Sequence, residues 1–221
     1  MRALADTLTR WPAESLARRP LLAGVLAFLS RLVPASFFAV VCISFWVDFR
    51  ETGRLTSLAW IVSEAMVVVL FVVRRPSHLI SERPLDWLVA VAGSTVFLMA
   101  RPADSAVAPE WLALSLQLTG LAIQATSKAT LGRSFGVVAA NRGIVTRGPY
   151  RLVRHPIYLG YLVTHIGFLL VDTSPRNLAV YLIGYTFQIA RIVAEERVLR
   201  SDASYCGYCQ QVRYRLIPGV F

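Results

Sequence analysis

Two short stretches hold the side chains best able to do chemistry. The first is Gly148-Pro149-Tyr150-Arg151-Leu152-Val153-Arg154-His155-Pro156-Ile157-Tyr158, in which cations, aromatics and an imidazole come immediately before an apolar segment. The second is Arg191-Ile192-Val193-Ala194-Glu195-Glu196, which puts one cation and two carboxylates where a later apolar segment ends. On a helix Arg191 and Glu195 share a face one turn apart, and Glu196 is turned by about 100 degrees. Pro156 suits the first turn of a helix, whose free backbone N–H groups attract anions. With Tyr150, Arg154, His155 and Tyr158 around it, such a site can take a carboxylate on arginine and N–H donors, and a sulfonium or ammonium against carboxylates and aromatic faces. Plainer readings compete: charges that snorkel at a membrane edge, and a histidine that only caps a helix start.

The elements that must position these residues are apolar helices. Of 221 residues, 56% are hydrophobic and 16% charged, and the mean hydropathy is +0.55, which leaves too little polar surface for a water-soluble globule. Long apolar runs between short charged connections each approach the roughly 20 residues a helix needs to cross a bilayer. The expected fold is all-α, a polytopic transmembrane bundle of about six spans: Leu32 to Phe49, Leu55 to Val73, Leu85 to Ala100, Glu110 to Ser127, Ile157 to Val171 and Asn177 to Ile192. Pro76, Pro84, Pro102 and Pro175 each disfavour helix at the residue before them, so they punctuate the spans.

Charge sets the orientation. The net charge of +10 does not require nucleic acid, because the arginines cluster in connections where the positive-inside bias and anionic headgroups account for them. Arg18, Arg19 and Arg31, then Arg74, Arg75 and Arg83, then Lys128, Arg133, Arg142, Arg147, Arg151 and Arg154 mark one side; the alternate connections are poorer in positive charge. Both termini are therefore expected in the cytoplasm, at the inner membrane if the source is bacterial. Arg10, Glu14, Arg18 and Arg19 argue against a cleavable signal, and Ala13 to Ser30 reads as an interfacial helix or an extension of the first span, with a boundary near Arg31 and Pro34. Cys206 and Cys209 form a lone Cys-x-x-Cys without further ligands at matching spacing, so no metal is expected.

One connection is not a tight turn. Ala129 to Pro156 carries glycines that permit close approach to a ligand, arginines that can hold anions, and Pro149 and Pro156 to stiffen it, as in a pocket wall. The chain reads as a single domain in which 1–128 form the lipid and substrate side and 129–221 the cofactor-binding half. Glu64, alone within the second span, faces the cavity or serves helix packing.

Gly148-Pro149-Tyr150, Arg154-His155-Pro156-Ile157-Tyr158 with Gly160, Glu195-Glu196-Arg197-Val198-Leu199, and Tyr205, Tyr208, Val212 and Ile217-Pro218 together resemble the C-terminal half of the isoprenylcysteine carboxyl methyltransferase family. These are integral-membrane enzymes related to phospholipid methyltransferases. The resemblance covers roughly Leu131 to Pro218; Ala203-Ser204 stands where eukaryotic members have Phe-Gly, and the N-terminal half offers no assignable motif. It implies S-adenosyl-L-methionine as cofactor, in a cytoplasmic-side pocket lined by Tyr150, Arg154, His155, Tyr158, Gly160 and Glu195. It also implies Arg191 and Glu196 as catalytic residues facing the transferred methyl and a lipophilic acceptor.

The carboxylate of an isoprenylcysteine-like or isoprenoid substrate is the expected acceptor, with a phospholipid amine or a thiol as the alternative. Methyl transfer to a carboxylate consumes both charges, so the protein needs chiefly to align the reactants and exclude water. Two other classes remain. Membrane sterol-type reductases using NADPH share an Arg-His motif but usually carry asparagine where this chain has Ile157. A non-enzymatic membrane scaffold would use its boundary charges for topology alone.

Overall fold

The computed structural model describes residues 20–53, 55–77, 79–101, 103 and 105–221. Every expected apolar segment is helical: α1 (Pro20–Thr52), α2 (Leu55–Val73), α3 (Pro84–Thr95, continued by a 3-10 turn over Val96–Met99), α4 (Glu110–Leu131), α5 (Pro156–Val171) and α6 (Pro175–Leu199). A short α7 (Ala203–Gln211) follows. Prolines open α3, α5 and α6 at the first turn, where the missing N–H costs nothing, and Ser174 caps α6 by accepting from the Asn177 N–H at 3.1 Å.

Phe28–Thr52 and Pro175–Leu199 are long and apolar enough to cross a membrane; Trp60–Val73, Pro84–Met99 and Pro156–Val171 are shorter apolar helices. Large apolar side chains stand exposed on several of them, among them Val40, Val62, Trp111 and Leu182. Exposure on that scale is stable in lipid and not in water.

Two sequence expectations are corrected and one pair of alternatives is resolved. No boundary falls at Arg31 or Pro34, because α1 runs unbroken through both: Pro34 removes a single helical hydrogen bond, and Arg31 reaches across to the Val72 carbonyl at 3.3 Å. Of Ala13 to Ser30, residues 20–30 are thus an extension of the first helix, and residues 13–19 lie outside the described residues. Lys128, assigned to a charged connection, lies within α4 and is fully buried, 3.8 Å from Glu64 and donating to Ser63 Oγ at 2.7 Å.

The α4–α5 contact is built on glycines. A Cβ on Gly160 would come within 2.6 Å of Gln124 Cγ and 2.8 Å of the Gly120 carbonyl; one on Gly167 would come within 2.7 Å of the Ala113 carbonyl. Small residues let the backbones approach, which is how helices gain contact where no hydrophobic effect drives them together. Gln124 and Thr164 hydrogen-bond across this seam at 3.1 Å.

Between α4 and α5 the long connection forms a 3-10 turn over Gly132–Ser134, a two-residue strand β2 (Ala140–Asn141) and a 3-10 turn over Gly148–Arg151. β2 pairs antiparallel with β1 (Leu79–Ile80), so the segment after α2 clamps the loop. Gly132 and Gly148 have positive φ, 51° and 59°, and supply the reversals at its start and at its last turn.

Candidate active site

The loop ends where the chain's tail returns. Arg154 and His155 donate their backbone N–H groups to the carbonyls of Tyr214 and Arg215 at 3.0 and 2.8 Å, so residues beyond α7 fix the entry to α5. Arg154 Nε donates to Glu196 Oε1 at 2.8 Å and its NH1 to the carbonyls of Val212 and Arg213 at 3.1 Å each. Arg215 Nε donates to Glu196 Oε2 at 2.9 Å, and Arg200 approaches the same oxygen at 3.4 Å. His155 Nε2 lies 3.4 Å from Glu196 Oε1. One buried carboxylate thus gathers cations from α5's entry, α6's end and the tail, with charge-assisted bonds that offset its desolvation.

Glu195 belongs to a second group. Tyr158 donates its hydroxyl to Glu195 Oε1. His155 Nδ1 is 3.7 Å from Oε2, and Arg191 Nε is 3.4 Å from Oε1 one helical turn back. The Arg191 guanidinium lies over the Tyr158 ring, 5.2 Å from its centroid, and its NH1 donates to Ser94 Oγ at 3.0 Å. The His155 and Tyr158 rings stack with centroids 5.6 Å apart. His155 therefore bridges the two glutamates.

These groups border a cavity of about 590 Å³, lined by residues of the long loop and of all seven helices α1 to α7. That volume falls within the range of small-molecule sites. Tyr150, Arg154, His155, Tyr158, Arg191 and Glu195 all reach its wall. Two of the expected site residues do not. Gly160 is consumed by the α4–α5 seam, where its missing side chain makes room for Gln124. Glu196, 2% exposed, sits behind the wall and touches Arg154, His155, Arg200 and Arg215, not the space itself.

The wall also carries residues that motif spacing did not single out as site residues. Glu64 lines the cavity and also faces Lys128, so both of its expected roles hold at once. Tyr205 and Tyr208 pack with Tyr150, and Tyr208 donates to the Tyr150 carbonyl at 2.6 Å. Burial pushes the Tyr205 and Tyr208 hydroxyls well up, so they remain neutral donors. Arg142, one of the loop arginines expected both to mark topology and to hold anions, is buried at the wall, as is Gln188, one turn before Arg191.

Among the described residues, the buried side-chain polar atoms without a hydrogen-bond partner are Arg142 Nε, His155 Nε2, Gln188 Oε1, Arg191 Nε and Tyr205 Oη. All five side chains line this cavity. Leaving a buried polar group unpaired costs about 1–3 kcal/mol, and such groups are rare elsewhere in proteins. Their convergence on one space is what a site for a polar ligand requires.

A family model described as Phospholipid methyltransferase matches residues 109–202, which run from α4 to the cap of α7. Protein-S-isoprenylcysteine O-methyltransferase A of Arabidopsis thaliana is 31% identical over 107 residues, 45% of this chain and 54% of that protein. Protein-S-isoprenylcysteine O-methyltransferase of Tribolium castaneum is 31% identical over 113 residues, 46% of this chain and 40% of that protein. The matches thus span about half the length of these curated relatives. Among solved structures, the eukaryotic intramembrane Ras methyltransferase, isoprenylcysteine carboxyl methyltransferase, aligns with a TM-score of 0.47 at 17% identity, covering 99% of this chain and 93% of that one.

Proposed function

From the relationship between part of this chain and the protein-S-isoprenylcysteine O-methyltransferases, we propose that the protein is an integral-membrane methyltransferase that moves a methyl group from S-adenosyl-L-methionine to the carboxylate of an isoprenylcysteine-like or isoprenoid acceptor. The observation that carries this reading is the convergence on one cavity of five buried polar atoms that lack a hydrogen-bond partner, two of which, His155 Nε2 and Arg191 Nε, lie 3.4 Å from a carboxylate. The cofactor fits that donor set: it carries a carboxylate for guanidinium groups, an ammonium for Glu195, and ring and ribose atoms for Tyr205 and His155. When bound, it supplies a sulfonium-activated methyl group.

Within this reading the protein's own groups divide the work. Arg191, held by Ser94 and Glu195, orients the acceptor carboxylate. Glu195, with Tyr158 and His155 fixed against it, presents a carboxylate and aromatic faces to the cationic end of the cofactor. Glu196 acts from behind, as the anchor that holds Arg154 and His155 in place. No proton need be removed from a carboxylate acceptor, so alignment and exclusion of water supply the rate.

Six helices, α1 to α6, cross the bilayer in this reading, with both termini and the Arg142 side of the cavity toward the cytoplasm, as the distribution of arginines supports. A lipid-tailed acceptor then enters from the bilayer, along the apolar lining of α1 and α2 at Phe38, Phe45 and Trp60, while the charged cofactor enters from water.

The test is transfer of tritium from methyl-labelled adenosylmethionine by protein reconstituted in lipid, offered an S-farnesylcysteine derivative, an isoprenoid acid, phosphatidylethanolamine and a long-chain thiol. Label released by mild base from the carboxylate acceptors is the expected product. Base-stable label on the amine or thiol would reassign the acceptor, and no transfer to any of them would contradict the reading.

A further inference from the structure

Arg142 is a cation prepared for an anion that the protein does not provide. It is 9% exposed at the cavity wall, its Nε has no hydrogen-bond partner, and no carboxylate pairs with it among the described residues. A buried guanidinium without a counterion is destabilising, so a fold that keeps one in place must gain elsewhere or complete it with a ligand.

Its backbone is held firmly. Ser134 Oγ donates to the Arg142 carbonyl at 3.0 Å, Gly143 N–H donates to Asn141 Oδ1 at 2.9 Å, and Asn141 pairs with Leu79 across the ladder. The guanidinium lies against Gly136, where an added Cβ would come within 2.3 Å of NH1, so only glycine leaves it that position. Burial, then repulsion from Arg74, depress its pKa to about 10 against the opposing pull of Glu195. It stays charged at neutral pH.

We propose that Arg142 receives the carboxylate at the amino-acid end of the methyl donor, an assignment that rests on the methyltransferase reading above. Arg154 is an equal candidate by residue type, but Glu196 and the Val212 and Arg213 carbonyls already occupy its Nε and NH1. Arg191 lies about 6 Å further along α6 from Glu195, tied to Ser94 on α3, away from the loop. Arg142 sits beside Arg74 and Arg75 at the end of α2, on the side where a charged ligand enters from water. Two guanidinium groups at the wall then serve two carboxylates: Arg142, which has no carboxylate partner among the described residues, the donor's, and Arg191, held by Ser94 and Glu195, the acceptor's. Glu195, whose charge is felt at Arg142, meets the donor's ammonium.

Isothermal titration of the full-length protein in lipid nanodiscs tests this with two nucleosides: S-adenosylhomocysteine, and its decarboxylated analogue, which keeps adenosine, thioether and amine. Wild type is expected to prefer the carboxylate-bearing compound. Arg142→Met should weaken S-adenosylhomocysteine by about 10- to 100-fold, the worth of a charge-assisted hydrogen bond, and leave the analogue unchanged within about 3-fold by the same scale. Gly136→Ala, which pushes the guanidinium aside without removing it, should reproduce that selective loss, and it answers the question if Arg142→Met does not fold. Unchanged S-adenosylhomocysteine binding, or equal weakening of both compounds, overturns the assignment alone. Wild type that binds neither nucleoside overturns the assignment and the methyltransferase reading together.

Discussion

Glu195 and Glu196 are adjacent in sequence and separate in role, because a helix turns consecutive side chains about 100 degrees apart. Glu195 looks into the cavity toward Tyr158, Arg191 and His155, whereas Glu196 looks back into the protein at Arg154 and Arg215. Substitutions should separate them. Arg191→Gln is expected to reduce methyl transfer at least about 100-fold through misalignment of the acceptor, with nucleoside affinity measured by titration nearly unchanged. Glu196→Gln should instead lower thermal stability, since removing one partner of a buried ion pair costs roughly 3–5 kcal/mol, and should weaken nucleoside binding through the loss of His155 and Arg154 positioning. The Glu64–Lys128 pair offers a parallel case: Glu64→Gln strands a fully buried ammonium and should destabilise markedly, whereas Glu64→Gln with Lys128→Met should recover most of that loss in a thermal-shift measurement.

At the scale of elements, the α4–α5 seam and the long loop do different work. The seam is close-packed backbone, so Gly160→Val should destabilise by about 1–3 kcal/mol or more through overpacking and should show as loss of folded protein on size-exclusion chromatography. The loop is held by β1 and by the tail, and its contribution is to bring Arg142, Tyr150, Arg154 and His155 to one wall. Much of this was legible in advance. Apolar runs and proline punctuation marked α1 to α6 but not the short polar α7, and the Arg191 to Glu195 spacing marked the shared face. Gly160 was misplaced because a glycine near a motif reads equally as a ligand-facing or a helix-facing position until the neighbouring helix is known. Lys128 is misassigned for a related reason: charge beside a connection predicts topology, and only tertiary packing reveals that a particular cation is buried.

Across the described residues the protein is a helical body whose outer surface suits lipid and whose buried polar atoms without a hydrogen-bond partner are turned toward one cavity. In the proposed methyltransferase reading those two properties belong together: a lipid-tailed acceptor and a charged nucleoside can meet only where apolar entry and polar walls adjoin. Phe38, Phe45 and Trp60 of α1 and α2 are apolar lining of that space, and Glu64, Arg142, Arg154, Arg191 and Glu195 are charged lining. A soluble nucleotide-binding enzyme would need no such division.

The most direct test is equilibrium binding by the purified protein in lipid nanodiscs, titrated separately with S-adenosylmethionine and with NADPH. The account predicts saturable binding of S-adenosylmethionine at one site per chain, weakened more than about 10-fold by Glu195→Gln, and no binding of NADPH. Binding of NADPH in its place, or of neither compound, would contradict it.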